Sequence, residues 1–323
     1  MKLSKNNSLS IATCGMLCLA ACTLFSGRDS VQTMKEKPHV SSVTVTPDIP
    51  FEMQFCGDTV SLRRYNMHEG MDRELTSFCY FHSTTMLYLK RANQYFPIIE
   101  PILKEHGVPD DFKYLAVIES GLDPRIVSPA RATGMWQFML ATAKQYGLHI
   151  SPTVDERNHV EKATVAACKY LKDAYKRYGD WINVAASYNA GMGRISSELK
   201  KQQSDSALNL WLVEETRRYV YRIMAIKLVF ENPYRYGFVL RPQTFYKPLT
   251  CKTVEVSKDI SDLATFAKQH GVEYADLKRF NPWLRDRKLH TAGRTFQLKV
   301  PDKEALSYDV PNTYVHHGHW VVK

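Results

Sequence analysis

One acidic side chain lies where the sequence predicts the end of a helix. Glu119 is the next-to-last residue of "VPDDFKYLAVIES", and a loop rich in Pro, Ser, Gly and Arg follows before the apolar stretch "GMWQFM". The negative end of the helix dipole and burial both disfavour a carboxylate there, so both raise its pKa. A carboxyl group that is protonated near neutral pH can act as a general acid. An ordinary surface glutamate is the alternative. The apolar neighbours that are predicted to exclude water from Glu119 are Ile118, Leu122, Met135, Trp136 and Phe138. For Phe138 we favour the simpler interpretation that it only packs in the core.

The elements that must position Glu119 are predicted to be helical. Apolar residues recur three and four positions apart, as in Leu75, Phe78 and Met86, and we expect Asp110 or Asp111 to cap the helix of Glu119. The segments "VEKATVAACKYLKDAYKRYG", "DWINVAASYNAG" and "EETRRYVYRIMAIKLVFENP" predict further helices. We find no alternating strand pattern here, so we predict an all-α domain over residues 51–245.

Three short motifs occur in order along this region. The first joins Glu119 to Ser128, nine residues later, and to Gln137, eighteen residues later; the second is "AASYNAGMGRI" and the third "EETRRYVYRI". Together they resemble the soluble lytic transglycosylase and goose-type lysozyme superfamily. The resemblance implies a lysozyme-like, all-helical catalytic domain. Leu140, where the family usually has Pro, and the loop "SPARATG" depart from the pattern, and we expect them to change the loop without abolishing activity.

The resemblance implies a reaction that needs a single carboxylate, whereas glycosidases commonly use two. Glu119 would protonate the oxygen between N-acetylmuramic acid (MurNAc) and N-acetylglucosamine (GlcNAc). The acetamido group of the muramic sugar would stabilise the cation at C1. Glu119 would then take the proton of the C6 hydroxyl, whose oxygen closes a 1,6-anhydro ring without consuming water. Asp123 is interpreted as a turn residue before Pro124, not as a second catalytic group.

The resemblance also assigns roles around Glu119. Ser128 and Gln137 would bind substrate through hydroxyl and amide hydrogen bonds. Tyr188 would orient the glycan, and a core aromatic is an equally good interpretation of it. The supporting residues are Ser120, which caps its own helix or points into the cleft, and Asn189 and Glu215, which brace the site.

The C-terminal part has a different pattern. Residues 250–301 predict strand, helix, helix and strand, which resembles a small βααβ LysM domain, a glycan-binding module; a packing domain without ligand is the alternative. The tail, residues 302–323, contains His316, His317 and His319. No carboxylate lies among these histidines, so we predict a solvated or strand-like tail, with no metal and no cofactor.

The N-terminus predicts export. Residues 1–22 carry two lysines, a short apolar run and "LAAC", which resembles a lipoprotein signal peptide with lipidation at Cys22. A plain secretory signal and a buried helix are the alternatives. Thr23 after Cys22 favours, by the same resemblance, an outer-membrane lipoprotein facing the periplasm. Residues 23–50 are predicted to be a flexible tether.

The net charge and the cysteines limit the possible partners and the redox state of the chain. The formal net charge of +10 suits polyanions, but no recognisable nucleic-acid motif or phosphate loop is present. The resemblance implies peptidoglycan strands as the partner, whose acidic stem peptides suit this charge. We expect a monomer that binds the membrane through its lipid. The competing functions are a peptidoglycan lytic transglycosylase (a carbon–oxygen lyase of cell-wall remodelling or turnover), a non-catalytic peptidoglycan-binding lipoprotein, and a hydrolytic muramidase. The sequence does not distinguish free thiols from disulfides for four cysteines: Cys56, Cys79, Cys168 and Cys251.

Overall fold

The computed structural model describes residues 45–308 and 313–321 of the chain. The predicted signal peptide, the lipidation site Cys22 and most of the tether lie outside these residues. Within the described part, no helix is both long and apolar enough to cross a membrane.

The folded body begins with a β-hairpin, which corrects the prediction of an all-helical start at residue 51. Strand β1 (Glu52–Phe55) pairs antiparallel with β2 (Asp58–Ser61). Cys56 and Gly57 form the two-residue turn with φ of 55° and 94°, the conformation that matches the twist of a hairpin. The strands alternate between buried and exposed residues for only four positions each, which is too short for a clear sequence pattern.

The rest of the first domain is helical, as predicted, and the mainly α fold class is confirmed. Helix α1 packs against α8, α2 against α5, and α6 against α8. The helices are α1 (Tyr65–Tyr80), α2 (His82–Glu105), α3 (Lys113–Ser120), α4 (Leu140–Gln145), α5 (Val160–Tyr178), α6 (Trp181–Ala190), α7 (Met192–Lys201) and α8 (Glu214–Glu231).

Helix α3, which carries Glu119, lies between α2 and α8. A 3₁₀ turn over Asp110–Phe112 precedes it, and neither aspartate caps the helix, so the predicted cap is wrong. Instead, Asp110 binds the buried Lys113 (Oδ2–Nζ 2.6 Å) and Asp111 binds the buried Lys227 (Oδ1–Nζ 2.6 Å). Buried ammonium groups require such partners, and the requirement overrides capping.

The C-terminal module has the predicted order of elements. Strand β3 (Cys251–Val256) pairs antiparallel with β4 (Phe296–Pro301), and α9 (Leu263–Gln269) and α10 (Tyr274–Phe280) lie between them in the chain. Its separate core includes Leu263, Leu277 and Leu298.

The module contacts the helical domain through the segment before α5 and the first turn of that helix. The Asp155 N–H donates to the Trp283 carbonyl (2.8 Å), and the His159 ring stacks on Trp283 with centroids 5.8 Å apart. Lys299 and Glu161 form an ion pair across the same boundary. The two parts are therefore joined by backbone, aromatic and charged contacts.

The tail packs against the helical domain, so the prediction of a solvated tail is wrong for residues 313–321. Trp320 is only 2% exposed and lies among the rings of Phe96, Phe230 and Phe245. Its indole N–H donates to the Phe230 carbonyl (3.0 Å). The apolar partners come from α2, α8 and residue 245, which are remote in sequence.

The cysteines of the described part are all free thiols, which removes the disulfide alternative for them: Cys56, Cys79, Cys168 and Cys251.

Candidate active site

A sharp turn after α3 leaves Glu119 at the C-terminal end of the helix. Gly121 has φ of 59°, and its N–H donates to the Val117 carbonyl (2.8 Å). A Cβ atom at this position would lie 2.4 Å from Cε1 of Tyr88, so both the backbone and the available space require glycine. Leu122 follows with φ of 58°, an uncommon conformation for a side chain of this kind.

The loop over residues 121–139 is held by its own hydrogen bonds. The Ser128 hydroxyl accepts from the Ala132 N–H (3.0 Å), and the Gln137 amide donates to the carbonyl oxygens of Gly134 (2.7 Å) and Ile126 (3.2 Å). Gln137 itself has φ of 49°. Ser128 and Gln137, predicted to bind substrate, therefore also determine the shape of the loop.

Gly134 fixes this loop against the segment before α5. Its φ is 84°, and an added Cβ would lie 1.9 Å from the Arg157 carbonyl oxygen. The loop and the backbone at Arg157 therefore approach each other as closely as a residue without a side chain permits.

The carboxyl group of Glu119 is held by a phenol from α8. Tyr219 is 3% exposed and its hydroxyl donates a short hydrogen bond to Glu119 Oε1. Arg222, one turn further along α8, places its guanidinium near the carboxyl and donates to the Ile118 carbonyl (3.5 Å). Helix α8 therefore provides both a hydrogen bond and a positive charge to the end of α3.

Burial raises the pKa of Glu119 from an ordinary 4.5 to about 7. The Tyr219 hydrogen bond and the Arg222 charge act in the opposite direction, and the charge of Glu215 adds to the rise. The sequence analysis predicts this direction from burial. Glu119 is thus about half protonated at neutral pH, which suits a group that must first donate and then accept a proton.

Tyr188 lies near the carboxyl group, whose charge acts on its hydroxyl. Its hydroxyl donates to the Trp136 carbonyl (2.8 Å), and its ring packs edge-on against Tyr170 with centroids 5.1 Å apart. Burial and then the Glu119 charge raise its pKa well above the ordinary value, so it stays protonated. Tyr188 is therefore packed against the core and close enough to Glu119 to respond to its charge, and its role toward the glycan stays a prediction.

The supporting residues have separate positions. The Ser120 hydroxyl is buried and donates to the Ala116 carbonyl of its own helix (3.1 Å), so it does not point into the cleft. The Asn189 amide oxygen accepts from the Thr216 hydroxyl (2.9 Å) and links the end of α6 to α8. Glu215 is exposed and acts on Glu119 through its charge.

The apolar residues after Gly134 belong to the core. Trp136 donates through its indole N–H to the Thr164 hydroxyl (2.9 Å), and Phe138 lies against the Tyr188 ring with centroids 6.3 Å apart. All five apolar residues that were predicted to exclude water from Glu119 are buried: Ile118, Leu122, Met135, Trp136 and Phe138.

A cleft of about 510 Å³ lies along the start of α8, and Glu119 is not among its lining residues. Tyr88, Glu215 and Arg222 contribute to its wall. Asp123 is engaged elsewhere: its Oδ1 accepts from Arg125 Nε (3.2 Å), and its Oδ2 lies 3.6 Å from Arg91 Nη2. These cations outweigh burial and lower its pKa, so Asp123 is an ionised turn residue.

The sequence analysis missed Tyr219 and Arg222, although it quoted the segment that contains them. Both follow Glu215 at spacings of four and seven residues, which places all three on one face of a helix. That periodicity is the signal that could have identified them.

Residues 96–210 match the family profile of the transglycosylase SLT domain. The profile of the soluble lytic transglycosylase C-terminal LysM-like domain matches residues 252–304. The chain therefore combines an SLT transglycosylase domain with a LysM-like domain.

Among curated proteins, the chain is 29% identical over 259 residues to membrane-bound lytic murein transglycosylase D of Escherichia coli K12, covering 78% of this chain and 56% of that protein. This agrees with the kind of lytic transglycosylase that the motifs and the C-terminal module indicate. It is 32% identical over 123 residues to membrane-bound lytic murein transglycosylase F of Idiomarina loihiensis, covering 35% of this chain and 26% of the relative. The chain thus spans about half the length, or less, of these relatives.

Solved structures with detectable similarity include the 70-kDa soluble lytic transglycosylase SLT70 of Escherichia coli. It is 23% identical, with a TM-score of 0.37, and the match covers 44% of this chain and 24% of SLT70.

Proposed function

We propose that the protein is a peptidoglycan lytic transglycosylase that cleaves the β-1,4 bond between MurNAc and GlcNAc and forms 1,6-anhydroMurNAc. One observation carries the proposal: Glu119 lies half-buried at the end of α3, and burial raises its pKa to about 7. The SLT and LysM-like domain matches support the same substrate class.

The reaction uses Glu119 twice. The protonated carboxyl group donates its proton to the bridging oxygen, and the C1–O bond breaks with its electron pair leaving on GlcNAc. The cation at C1 is stabilised by the muramic acetamido oxygen. The Glu119 carboxylate then accepts the proton of the C6 hydroxyl while that oxygen bonds to C1, which restores the protonated acid.

Neighbouring groups hold Glu119 for both steps. The Tyr219 hydrogen bond to Oε1 fixes one carboxyl oxygen and leaves Oε2 for the transferred proton. Tyr188, Ser128 and Gln137 are the proposed glycan contacts, since Tyr188 stays protonated beside Glu119 and the other two shape the adjoining loop. Asn189 and Glu215 act as supporting residues.

Two alternatives predict different behaviour. A non-catalytic binding protein gains nothing from a half-buried carboxyl group, because its burial costs stability. A muramidase requires a base that activates water, and Asp123, the carboxylate nearest to Glu119 in the sequence, is ionised but bound by two arginines.

Digestion of purified sacculi in H₂¹⁸O distinguishes all three. A transglycosylase releases 1,6-anhydromuropeptides without ¹⁸O, and a muramidase releases reducing ends that carry it. Absence of any soluble muropeptide, with binding to sacculi retained, would leave only the binding protein.

We further propose a location in the cell envelope, because both relatives described above are named as membrane-bound. Lipidation of Cys22 would make the protein an outer-membrane lipoprotein facing the periplasm, tethered through residues 23–50 and acting as a monomer. The LysM-like module would bind GlcNAc-containing strands and keep the catalytic domain close to its substrate.

A further inference from the structure

The docked tail brings two imidazoles onto a carboxylate of α2. His316 Nε2 lies 2.7 Å from Glu100 Oε2, and His317 Nε2 lies 2.9 Å from Glu100 Oε1. A ligand atom from each residue lies within 4.8 Å of the others. The side chains are 19%, 17% and 29% exposed for Glu100, His316 and His317, so the cluster is partly covered but open to solvent.

Hydrogen bonds within the chain hold the backbone around the two histidines in place without a bound ligand. The His316 N–H donates to the Asn93 amide oxygen (2.7 Å), and the Asn93 amide nitrogen donates to the Tyr314 carbonyl (3.1 Å). On the other side, buried Trp320 anchors the chain. The backbone that carries the two imidazoles is therefore positioned by contacts that do not depend on Glu100.

We propose that Glu100, His316 and His317 form a binding site for a divalent transition metal of the zinc type, with solvent as the fourth ligand. Imidazole nitrogen and carboxylate oxygen are ligands that zinc prefers, and two histidines with one glutamate are sufficient protein ligands when a water completes the tetrahedron.

The distances fit such an ion after small movements. Bonds of roughly 2.0–2.1 Å at tetrahedral angles separate two ligand atoms by about 3.3 Å. The His316 Nε2–Glu100 Oε2 separation of 2.7 Å is a hydrogen-bond length and must increase by a few tenths of an ångström, and the ligand atoms of the three residues, all within 4.8 Å of one another, need movements of about an ångström or less. Tyr314 also supports the site, because its hydroxyl lies 3.1 Å from His316 Nδ1, the nitrogen that would face away from the metal.

Lys113 is the cation that competes with a metal here. Its Nζ lies 2.7 Å from Glu100 Oε1 and 2.6 Å from Asp110 Oδ2. A carboxylate offers about four lone-pair sites, so Glu100 can keep Lys113 on Oε1 while Oε2 binds the metal. The positive charge nevertheless repels the ion, and removing it should strengthen binding.

A metal at this position would attach the tail to α2. Helix α2 packs on α3, and the Phe96 ring of α2 lies against Trp320 of the tail. The ion would therefore stabilise the helical layer behind Glu119 without contacting the catalytic groups.

The direct test is calorimetric titration of Zn²⁺ into the tag-free, chelator-treated full chain. We expect one ion per chain. His316→Gln and His317→Gln should each weaken binding roughly tenfold to a hundredfold or more, and Lys113→Met should strengthen it. His319→Gln is the matched control within the tail and should bind as the wild type does, since its Nε2 lies 3.1 Å from the Phe230 carbonyl.

A second readout measures the predicted attachment of the tail. At about a hundred times the wild-type Kd, Zn²⁺ should raise the melting temperature of the wild type by roughly 5 °C and that of His317→Gln by no more than about half as much. Circular dichroism without metal checks that each variant folds. Failure of the folded wild type to bind Zn²⁺, or equal binding by His316→Gln, His317→Gln and His319→Gln, would overturn the assignment.

Discussion

Tyr219→Phe isolates the hydrogen bond that adjusts the acidity of Glu119. The substitution removes the hydroxyl that donates to Glu119 Oε1 and keeps the buried ring. That bond stabilises the charged form of Glu119, so its loss raises the pKa. A hydrogen bond to a charged group contributes about 1.5–3 kcal/mol, and one pKa unit corresponds to about 1.36 kcal/mol. The expected rise is therefore about one to two units.

The rate of anhydromuropeptide release against pH measures this shift. A general acid is active when protonated, so the rate falls as pH increases through its pKa. In the wild type the fall should centre near pH 7, where the pKa of Glu119 lies. In Tyr219→Phe it should centre roughly one to two units higher.

Tyr221→Phe is the matched control, because Tyr221 is a buried tyrosine of the same helix. It should keep the wild-type profile. An unchanged or lowered midpoint in Tyr219→Phe would refute the assignment of Tyr219 as the residue that holds Glu119.

Three further predictions concern stability and location. Glu119→Gln should raise the free energy of unfolding at pH 8 by up to about 3 kcal/mol and change it little at pH 4. The pKa of Glu119 is about 7 in the folded protein and near the ordinary 4.5 in the unfolded chain, so the folded wild type holds its proton more tightly. The wild type therefore loses stability as the pH rises from 4.5 to 7, and the glutamine variant does not. Chemical denaturation at both pH values measures this, and an equal change at both would contradict it. Gly134→Ala should cost more than about 2 kcal/mol, because its Cβ would lie 1.9 Å from the Arg157 carbonyl, whereas Gly193→Ala, with open space around its Cβ, should cost little. Fatty-acid labelling of cells should mark the wild type and not Cys22→Ala, and equal labelling of both would exclude lipidation at Cys22.

The helical domain and the position of Glu119 could be predicted because their determinants are local. Periodic apolar residues define α3, and Gly121 ends it, so the sequence places an acid at a helix terminus. The order of elements in the C-terminal module follows from the same kind of local pattern. The roles of Ser128, Gln137 and Tyr188 rest on motif resemblance and stay predictions.

The remaining features depend on contacts between distant residues. Tyr219 reaches Glu119 only because α8 packs on α3, a pairing that periodicity does not specify. Glu100 precedes His316 by more than two hundred positions, and the sequence next to the histidines gives no indication that a carboxylate from α2 would approach them. The hairpin at residues 52–61 was missed because each strand has four residues.

The most direct test of the central claim compares Glu119→Gln with the wild type on purified sacculi. Glutamine keeps the shape of the side chain but cannot donate or recover the proton. General acid–base catalysis is worth about a hundredfold to ten-thousandfold, and one group that serves both steps should lie near the upper end. We predict that folded Glu119→Gln releases 1,6-anhydromuropeptides at least about a thousandfold more slowly than the wild type. Release at a rate near that of the wild type would contradict the account.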